Sequence, residues 1–250
     1  MVIDSPIIEF DSIDSTNNYA MQLIDANKAQ HGLTVTAQSQ SSGKGQRGKV
    51  WEDIPGQSLL MSVIILPQVE IRAQFAFNAA VASAIANVLQ KLRAEWQVRV
   101  KWPNDIIIND KKAGGILIEN VLRGSKWTHS VVGLGLNLKQ ASFPETLPFA
   151  TSLHIEAGEE FNMTGLRDDI RAGIVLCGTC PPPVEKMMEQ YNQWLYRRGQ
   201  KQVFSDGNST WTATLLGVHN DGTLEVQLAD GTIVFYHHGQ VEWVWGTPNA

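Results

Sequence analysis

The sequence predicts an α+β chain built on a mixed sheet and followed by a small β-barrel, on three observations. Residues 71–92 carry a strong helical period, with Phe75, Ala79, Ala82, Ile85, Val88, Leu89 and Leu92 recurring at steps of three and four. Short β-prone runs crowd the middle of the chain while helical stretches flank them, so strands and helices do not alternate as a regular βαβ array demands. From about Arg198 the texture changes to short strands separated by Gly and Asp-Gly turns. The division therefore falls between residues 1–198, the main domain, and 199–250, a barrel of about 50 residues.

In order, residues 7–10 read as a strand, and Asp14, Ser15 and Thr16 offer N-cap side chains for a helix over 17–26. A strand over 33–37 leads into a glycine-rich stretch, and the apolar run 58–66 is the next strand. After the long helix, strands follow at 98–101, 106–108 and 116–121, the last two joined by a tight Asn109-Asp110 turn, and another at 131–138. Helices at 164–176 and 184–196 are broken by Pro181-Pro182-Pro183. The barrel strands are 202–204, 211–218, 224–228 and 233–236, with Asp221-Gly222 and Asp230-Gly231 as hairpin signals.

The bulk composition excludes several classes of protein. With 43% apolar and 18% charged residues among 250, the chain is globular rather than disordered. A net charge of −5 argues against a general nucleic-acid or membrane-surface binder. The first fourteen residues carry Asp4, Glu9, Asp11 and Asp14 and no Lys or Arg, so no secretory signal opens the chain, as expected of a cytoplasmic protein. The longest apolar run, 59–67, falls far short of the roughly 20 residues of a membrane span. Cys177 and Cys180 have redox or half-zinc spacing but lack a second ligand pair, which reads as two reduced thiols.

Against this acidic background, G-K-G-Q-R-G-K-V-W at 43–51 gathers three glycines and three cations, a composition suited to an anion. Three phosphate-binding patterns fit it superficially. As a P-loop it lacks the Mg²⁺-binding hydroxyl, because Val50 follows Lys49. As a dinucleotide fingerprint it should open a helix, but a polar turn and a strand follow. As a kinase loop it lacks the H-R-D and D-F-G partners. The plain alternative is a solvated basic loop between two strands.

Four further strings accompany the loop: D-S-T-N at 14–17 with Gln40 just before the glycines, K-W-P-N-D at 101–105, K-A-G-G-I-L-I-E at 112–119, and G-L-G-L-N at 133–137. Singly each has a bland reading as a helix cap, a turn, or a close strand approach. Together, in this order, they resemble the biotin–protein ligases, and the resemblance runs from about Asp14 to the Glu242-Trp243 region. It implies a catalytic domain of the class II synthetase type followed by an SH3-like barrel. It also implies an activity: biotin and ATP form biotinyl-5′-AMP with Mg²⁺ as cofactor, and the biotinyl group passes to a lysine of a biotin carboxyl carrier domain.

By position in the family motifs, Ser15, Thr16 and Asn17 would hydrogen-bond the ureido head of biotin, with Gln40 and Gly115 at the same pocket. Lys44, Gly45 and Gln46 would cover the biotin carboxylate and adenylate phosphate, with Arg47, Lys49 and Trp51 on the nucleotide side. Lys112 would serve both biotin and catalysis by binding carboxylate and acyl-phosphate oxygens, since two anions meet there and need cations. Lys101 and Asn104 are the implied phosphate and Mg²⁺ contacts, Lys101 also catalytic, and Asn137 the implied adenine contact.

Two features set this chain apart from the common family pattern. The usual loop is G-R-G-R-x-G, and here Lys44 and Gln46 replace the arginines; Gln46 loses both charge and bidentate fork. The biotin-pocket motif begins at Asp14, leaving no room ahead of it for the winged helix of family members that act as repressors, so DNA binding is not expected. Lipoate ligases share the fold and reaction but usually carry an R-R-x-x-G-G-G string absent here. A non-catalytic biotin binder would have no use for Lys101, Asn104 and Lys112 together. A homodimer is left open, because an exposed sheet edge is invisible in a sequence.

Overall fold

The computed structural model describes residues 4–245. Its first sheet comprises β1 (Ile7–Phe10), β2 (Thr34–Ala37), β3 (Ser58–Ile65), β4 (Val98–Lys101), β5 (Asp105–Ile108), β6 (Lys111–Arg123) and β7 (Lys126–Asn137). Their order is β1-β2-β3-β7-β6-β5-β4. Only β1 and β2 run parallel; the other pairs are antiparallel, so the sheet is mixed, as the flanked-strand pattern predicts. The helices are α1 (Thr16–Asp25), α2 (Gln74–Leu92), α3 (Leu153–Ala157), α4 (Met163–Thr179) and α5 (Val184–Trp194).

Side-chain alternation divides the sheet's two faces. Leu59, Met61, Val63 and Ile65 of β3 and Val132, Leu134 and Leu136 of β7 pack in the large core with α2, α4 and α5. Ile64 and Val131 point the other way, into a smaller core with Ala20 and Ile24 of α1. Burying side chains such as Phe77 and Ile85 of α2 contributes roughly 1.5–3 kcal/mol each. The segment Ile71–Leu92 is long and apolar enough to cross a membrane by composition. Its packing against α4, α5 and the sheet makes it a core helix.

The second sheet contains β8 (Lys201–Ser205), β9 (Thr210–Val218), β10 (Leu224–Leu228), β11 (Ile233–Tyr236) and β12 (Glu242–Trp243), in the order β11-β10-β9-β8-β12. It is pinned to the first layer by three polar contacts. Trp102 Nε1 donates to Gly222 O at 3.0 Å, and Asn192 of α5 donates to Val218 O at 2.9 Å while accepting from Val218 N at 2.8 Å.

Asn109 and Asp110 both take positive φ, 50° and 65°, the geometry of a tight two-residue hairpin turn. At the two Asp-Gly turns only Gly222 and Gly231 do so, each at 88°, while Asp221 and Asp230 accept from the backbone N–H of Thr223 and Thr232. Four elements differ from expectation. β6 starts at Lys111 rather than 116, because Ala113, Gly114 and Gly115 hide a strand behind poor β-formers. β7 starts at Lys126, and α3 and β12 are too short to leave a periodic signal.

Candidate active site

The site lies on the α1 face of the sheet, where glycines replace the side chains that would fill it. Gly115 of β6 pairs in register with Gly135 of β7, and the Trp51 ring covers the pair. A Cβ on Gly135 would fall 2.5 Å from Trp51 Cε2, and one on Gly133 would collide with the Asn17 side chain. The two glycines of the 133–137 string therefore admit the loop tryptophan and the helix asparagine onto the sheet.

The glycine-rich stretch is an ordered hairpin-like loop whose tip is exposed. Gly45 N donates to Lys49 O at 2.7 Å, Trp51 N donates to Gly43 O at 3.0 Å, and Lys44 bridges Val50. Arg47 sits at its tip with φ 56°, and its guanidinium occupies the space a Cβ on Gly239 would need. The C-terminal sheet thus meets the loop tip directly. Among the described residues, Gln46 Oε1 and Trp51 Nε1 of this loop are buried without a hydrogen-bond partner.

A register shift between Ile106 and Ile107 aims the key lysine. Ile106 pairs with Gly114 but Ile107 with Lys112, so Ala113 is an extra residue on β6. Without that bulge, Lys112 and Gly115, three positions apart, would point to opposite faces. With it, a Cβ on Gly115 would lie 3.9 Å from Lys112 Cε, and Lys112 Nζ reaches Asp105 Oδ1 at 2.7 Å. Bonds from Lys112 N to Phe149 O and from Thr151 N to Lys112 O clamp the backbone there.

These elements enclose a cleft of about 930 Å³. Ser15, Thr16, Asn17, Gln40, Lys44, Gly45, Gln46, Arg47, Lys49, Trp51, Lys101, Asn104, Lys112 and Gly115 all line it. Asn137 does not. It is buried, and its amide donates to Thr151 O at 3.0 Å and accepts from Gln140 at 3.4 Å, so its functional groups are committed within the fold.

The cleft is chemically divided. At one end stand the uncharged polar groups of Ser15, Thr16, Asn17 and Gln40; Ser15 caps α1 by accepting from Asn18 N, and Gln40 Oε1 accepts from Thr16 N at 2.8 Å. At the other end Arg47, Lys49, Lys101 and Lys112 gather with Asp105 and Glu242, while Lys44 reaches Glu119 beside Asn17. Lys101 is buried, and burial pushes its ammonium down to about 8, Asp105 pulling partly the other way. Two rings from the chain's end flank it, Trp243 at 5.3 Å and Trp245 at 4.9 Å from the ammonium. His238 is lowered by burial and by the nearby charges of Arg47 and Lys49.

Several residues of this arrangement carry no sequence signal of their own. Ser62 on β3, His238 and the two tryptophans reach the site through contacts between segments far apart in the chain. Asp105 stands inside the K-W-P-N-D string, but its partnership with Lys112 depends on the bulge. The Cys177-Cys180 pair lies apart at the end of α4, both thiols free and that of Cys177 pushed up by burial to about 12.

Residues 9–137 match the model of the Biotin/lipoate A/B protein ligase family. The bifunctional ligase/repressor BirA of Bacillus subtilis (strain 168) is 28% identical over 250 residues, spanning 94% of this chain and 73% of that protein. The biotin–[acetyl-CoA-carboxylase] ligase of Paracoccus denitrificans is 35% identical over 130 residues, 51% of this chain and 52% of that one. Among solved structures, the biotin protein ligase from Aquifex aeolicus in complex with biotin and ATP superposes with a TM-score of 0.77 at 20% identity, over 97% of this chain and 99% of that one. The Leishmania major biotin protein ligase in complex with biotinyl-5-AMP gives 0.65 at 23% identity, over 94% of this chain and 100% of that one. The structural likenesses establish the α+β fold, and the match over residues 9–137 places this chain in the Biotin/lipoate A/B protein ligase family.

Proposed function

We propose that this protein is a biotin–protein ligase that makes biotinyl-5′-AMP and passes the biotinyl group to a lysine of a biotin carboxyl carrier domain. The observation that carries the reading is the divided cleft, with neutral hydrogen-bonding groups at one end, four cations at the other and Lys44 held beside the neutral end by Glu119. An acyl donor with an uncharged polar head and a carboxylate tail, meeting a nucleoside triphosphate, matches that division. The name of the Paracoccus denitrificans relative supports the same choice of acyl group.

In the first step a carboxylate oxygen of biotin attacks the α-phosphorus of ATP, and the bond to the β-phosphate breaks to release pyrophosphate. Two anions must approach, so the cations do the work: Lys112, aimed by the bulge, faces the meeting point, and Lys101, Arg47 and Lys49 surround the phosphates. Gln46 and Trp51 line the cleft from the loop. In the second step the carrier lysine amine attacks the acyl carbonyl, the C–O bond to phosphate breaks, and AMP leaves. On this reading residues 1–198 form the catalytic unit, and 199–250 the barrel that walls its phosphate end.

Among the described residues no three His, Cys, Asp or Glu side chains converge, so a metal would have no all-protein cage. The hard oxygens at the cation end include those of Asn104 and Asp105. The Asn104 amide nitrogen is committed to Ile116 O at 2.6 Å, leaving its oxygen to ligate a metal. One or two protein oxygens suit Mg²⁺ carried on phosphates, where it would neutralise charge on the departing pyrophosphate.

The transfer half is tested by incubating the protein with biotin, ATP, Mg²⁺ and a purified carrier domain, and reading the carrier's mass. One biotinyl group on the carrier, absent when its acceptor lysine is changed to arginine, supports the reading. No mass change with carrier under conditions that form the adenylate contradicts it.

A further inference from the structure

Behind the neutral end of the cleft runs a continuous hydrogen-bond chain, Thr16–Ser62–Asn17–Glu119–Lys44. Ser62 Oγ lies 2.7 Å from Thr16 Oγ1 and 2.6 Å from Asn17 Oδ1, and is fully buried. Asn17 Nδ2 donates to Glu119 Oε2 at 2.7 Å, and Lys44 Nζ lies 3.5 Å from Glu119 Oε1.

Counting protons gives this chain a direction. Glu119 and the Leu117 carbonyl, 3.4 Å from Asn17 Nδ2, only accept, so the Asn17 nitrogen must face them. Its oxygen therefore faces Ser62 and takes the one Ser62 hydroxyl proton. The Ser62 oxygen then has only lone pairs for Thr16, so the short 2.7 Å contact requires the Thr16 proton to point at Ser62. The Thr16 oxygen, 3.1 Å from Gln40 Oε1, keeps no proton for that contact, and Gln40 Oε1 is held instead by Thr16 N at 2.8 Å.

From this we infer that Ser62 and Glu119 are specificity-determining residues: they hold the Thr16 hydroxyl as an obligate acceptor, so the cleft selects an acyl head group that presents N–H. Gln40, its oxygen engaged, presents its NH₂ as a donor, and Ser15 keeps a free hydroxyl proton. An acceptor beside two donors complements a ureido group with its N–H and C=O. A dithiolane head has no N–H and leaves the acceptor unmatched, at the cost of an unsatisfied buried group. Neither Ser62 nor Glu119 needs to touch the ligand; they act through Thr16 and Asn17. The inference rests on the ligase reading and names what sets its acyl selectivity.

The test compares binding of biotin with that of its two mono-N-methylated forms, each lacking one ureido N–H, by calorimetry. The wild type should discriminate against at least one of them by about tenfold, the worth of one matched buried hydrogen bond. In Ser62→Ala the Thr16 proton is released, biotin should bind more weakly, and that ratio should fall toward one while ATP affinity holds. Ser62→Thr should restore it. Glu119→Ala, at a side chain 31% exposed, lets the Asn17 amide turn and should shift the ratio the same way even if Ser62→Ala does not fold. An unchanged ratio in a folded Ser62→Ala or Glu119→Ala variant overturns the inference alone. Absence of biotin binding by the wild type overturns the ligase reading and this inference with it.

Discussion

Lys112 Nζ and Asp105 Oδ1 meet at 2.7 Å across two strands whose register slips by one residue between Ile106 and Ile107. The ion pair is half-open to the cleft, so it positions the lysine more than it stabilises the fold. An incoming anion can compete for the ammonium without moving the backbone, which Phe149 and Thr151 hold.

Lys112→Ala should therefore reduce adenylate formation by about 100-fold or more, the scale of losing one preorganised charge at a transition state. Biotin affinity should change far less, because the ureido end is remote from this lysine. Parallel calorimetry and ATP–pyrophosphate exchange check it; equal losses in both would mean that Lys112 only binds.

The glycine floor gives a sharper steric prediction. Gly135→Ala places a methyl 2.5 Å from Trp51 Cε2, whereas Gly115→Ala places one at an ordinary 3.4 Å from Trp51 Cζ3. Gly135→Ala should lift Trp51 and cut exchange activity about tenfold, as overpacking by one methyl commonly costs about 1–3 kcal/mol. A loss no greater than that of Gly115→Ala would show that the loop adjusts freely.

Lys101 supplies a pH signature. Its ammonium is held down at about 8, chiefly by burial, so the charged form is lost as pH rises through that value in the free protein. A phosphate ligand of this kind predicts that kcat/KM for ATP falls above about pH 8, reporting the free enzyme. Lys101→Arg, which stays charged, should move that limb upward whatever it does to the rate. A flat profile from pH 7 to 10 in wild type, spanning the value of about 8, would remove Lys101 from phosphate binding.

Gln46 stands where the common family loop has arginine, and its Oε1 is buried without a partner. An amide there holds a phosphate less firmly than a bidentate guanidinium. Biotinyl-5′-AMP should dissociate faster from wild type than from Gln46→Arg, as measured by trapping released adenylate. Equal rates would show that the remaining loop cations suffice.

The sequence exposes what is local. Periodicity located α2, the positive-φ turn at Asn109-Asp110 was readable from residue type, and five motif strings marked fourteen of the residues that line the cleft. What it hid depends on chain segments meeting. The bulge at Ala113 lies among residues with weak strand preference, so neither the start of β6 nor the aim of Lys112 could be read. Ser62 looks like a polar interruption of an apolar strand until Asn17 and Thr16 are set against it. Trp243 and Trp245 look like barrel residues until β12 brings them to Lys101. Asn137 shows the converse: a motif position whose amide the fold engages with Thr151 and Gln140.

The most direct measurement is ATP–pyrophosphate exchange with Mg²⁺ and no carrier protein, with biotin or lipoate added in parallel. The divided cleft and its directed polar end predict exchange that depends on biotin and is absent with lipoate. Exchange supported by lipoate alone would move the chain to the other branch of its family, and exchange with neither would contradict adenylation at this site.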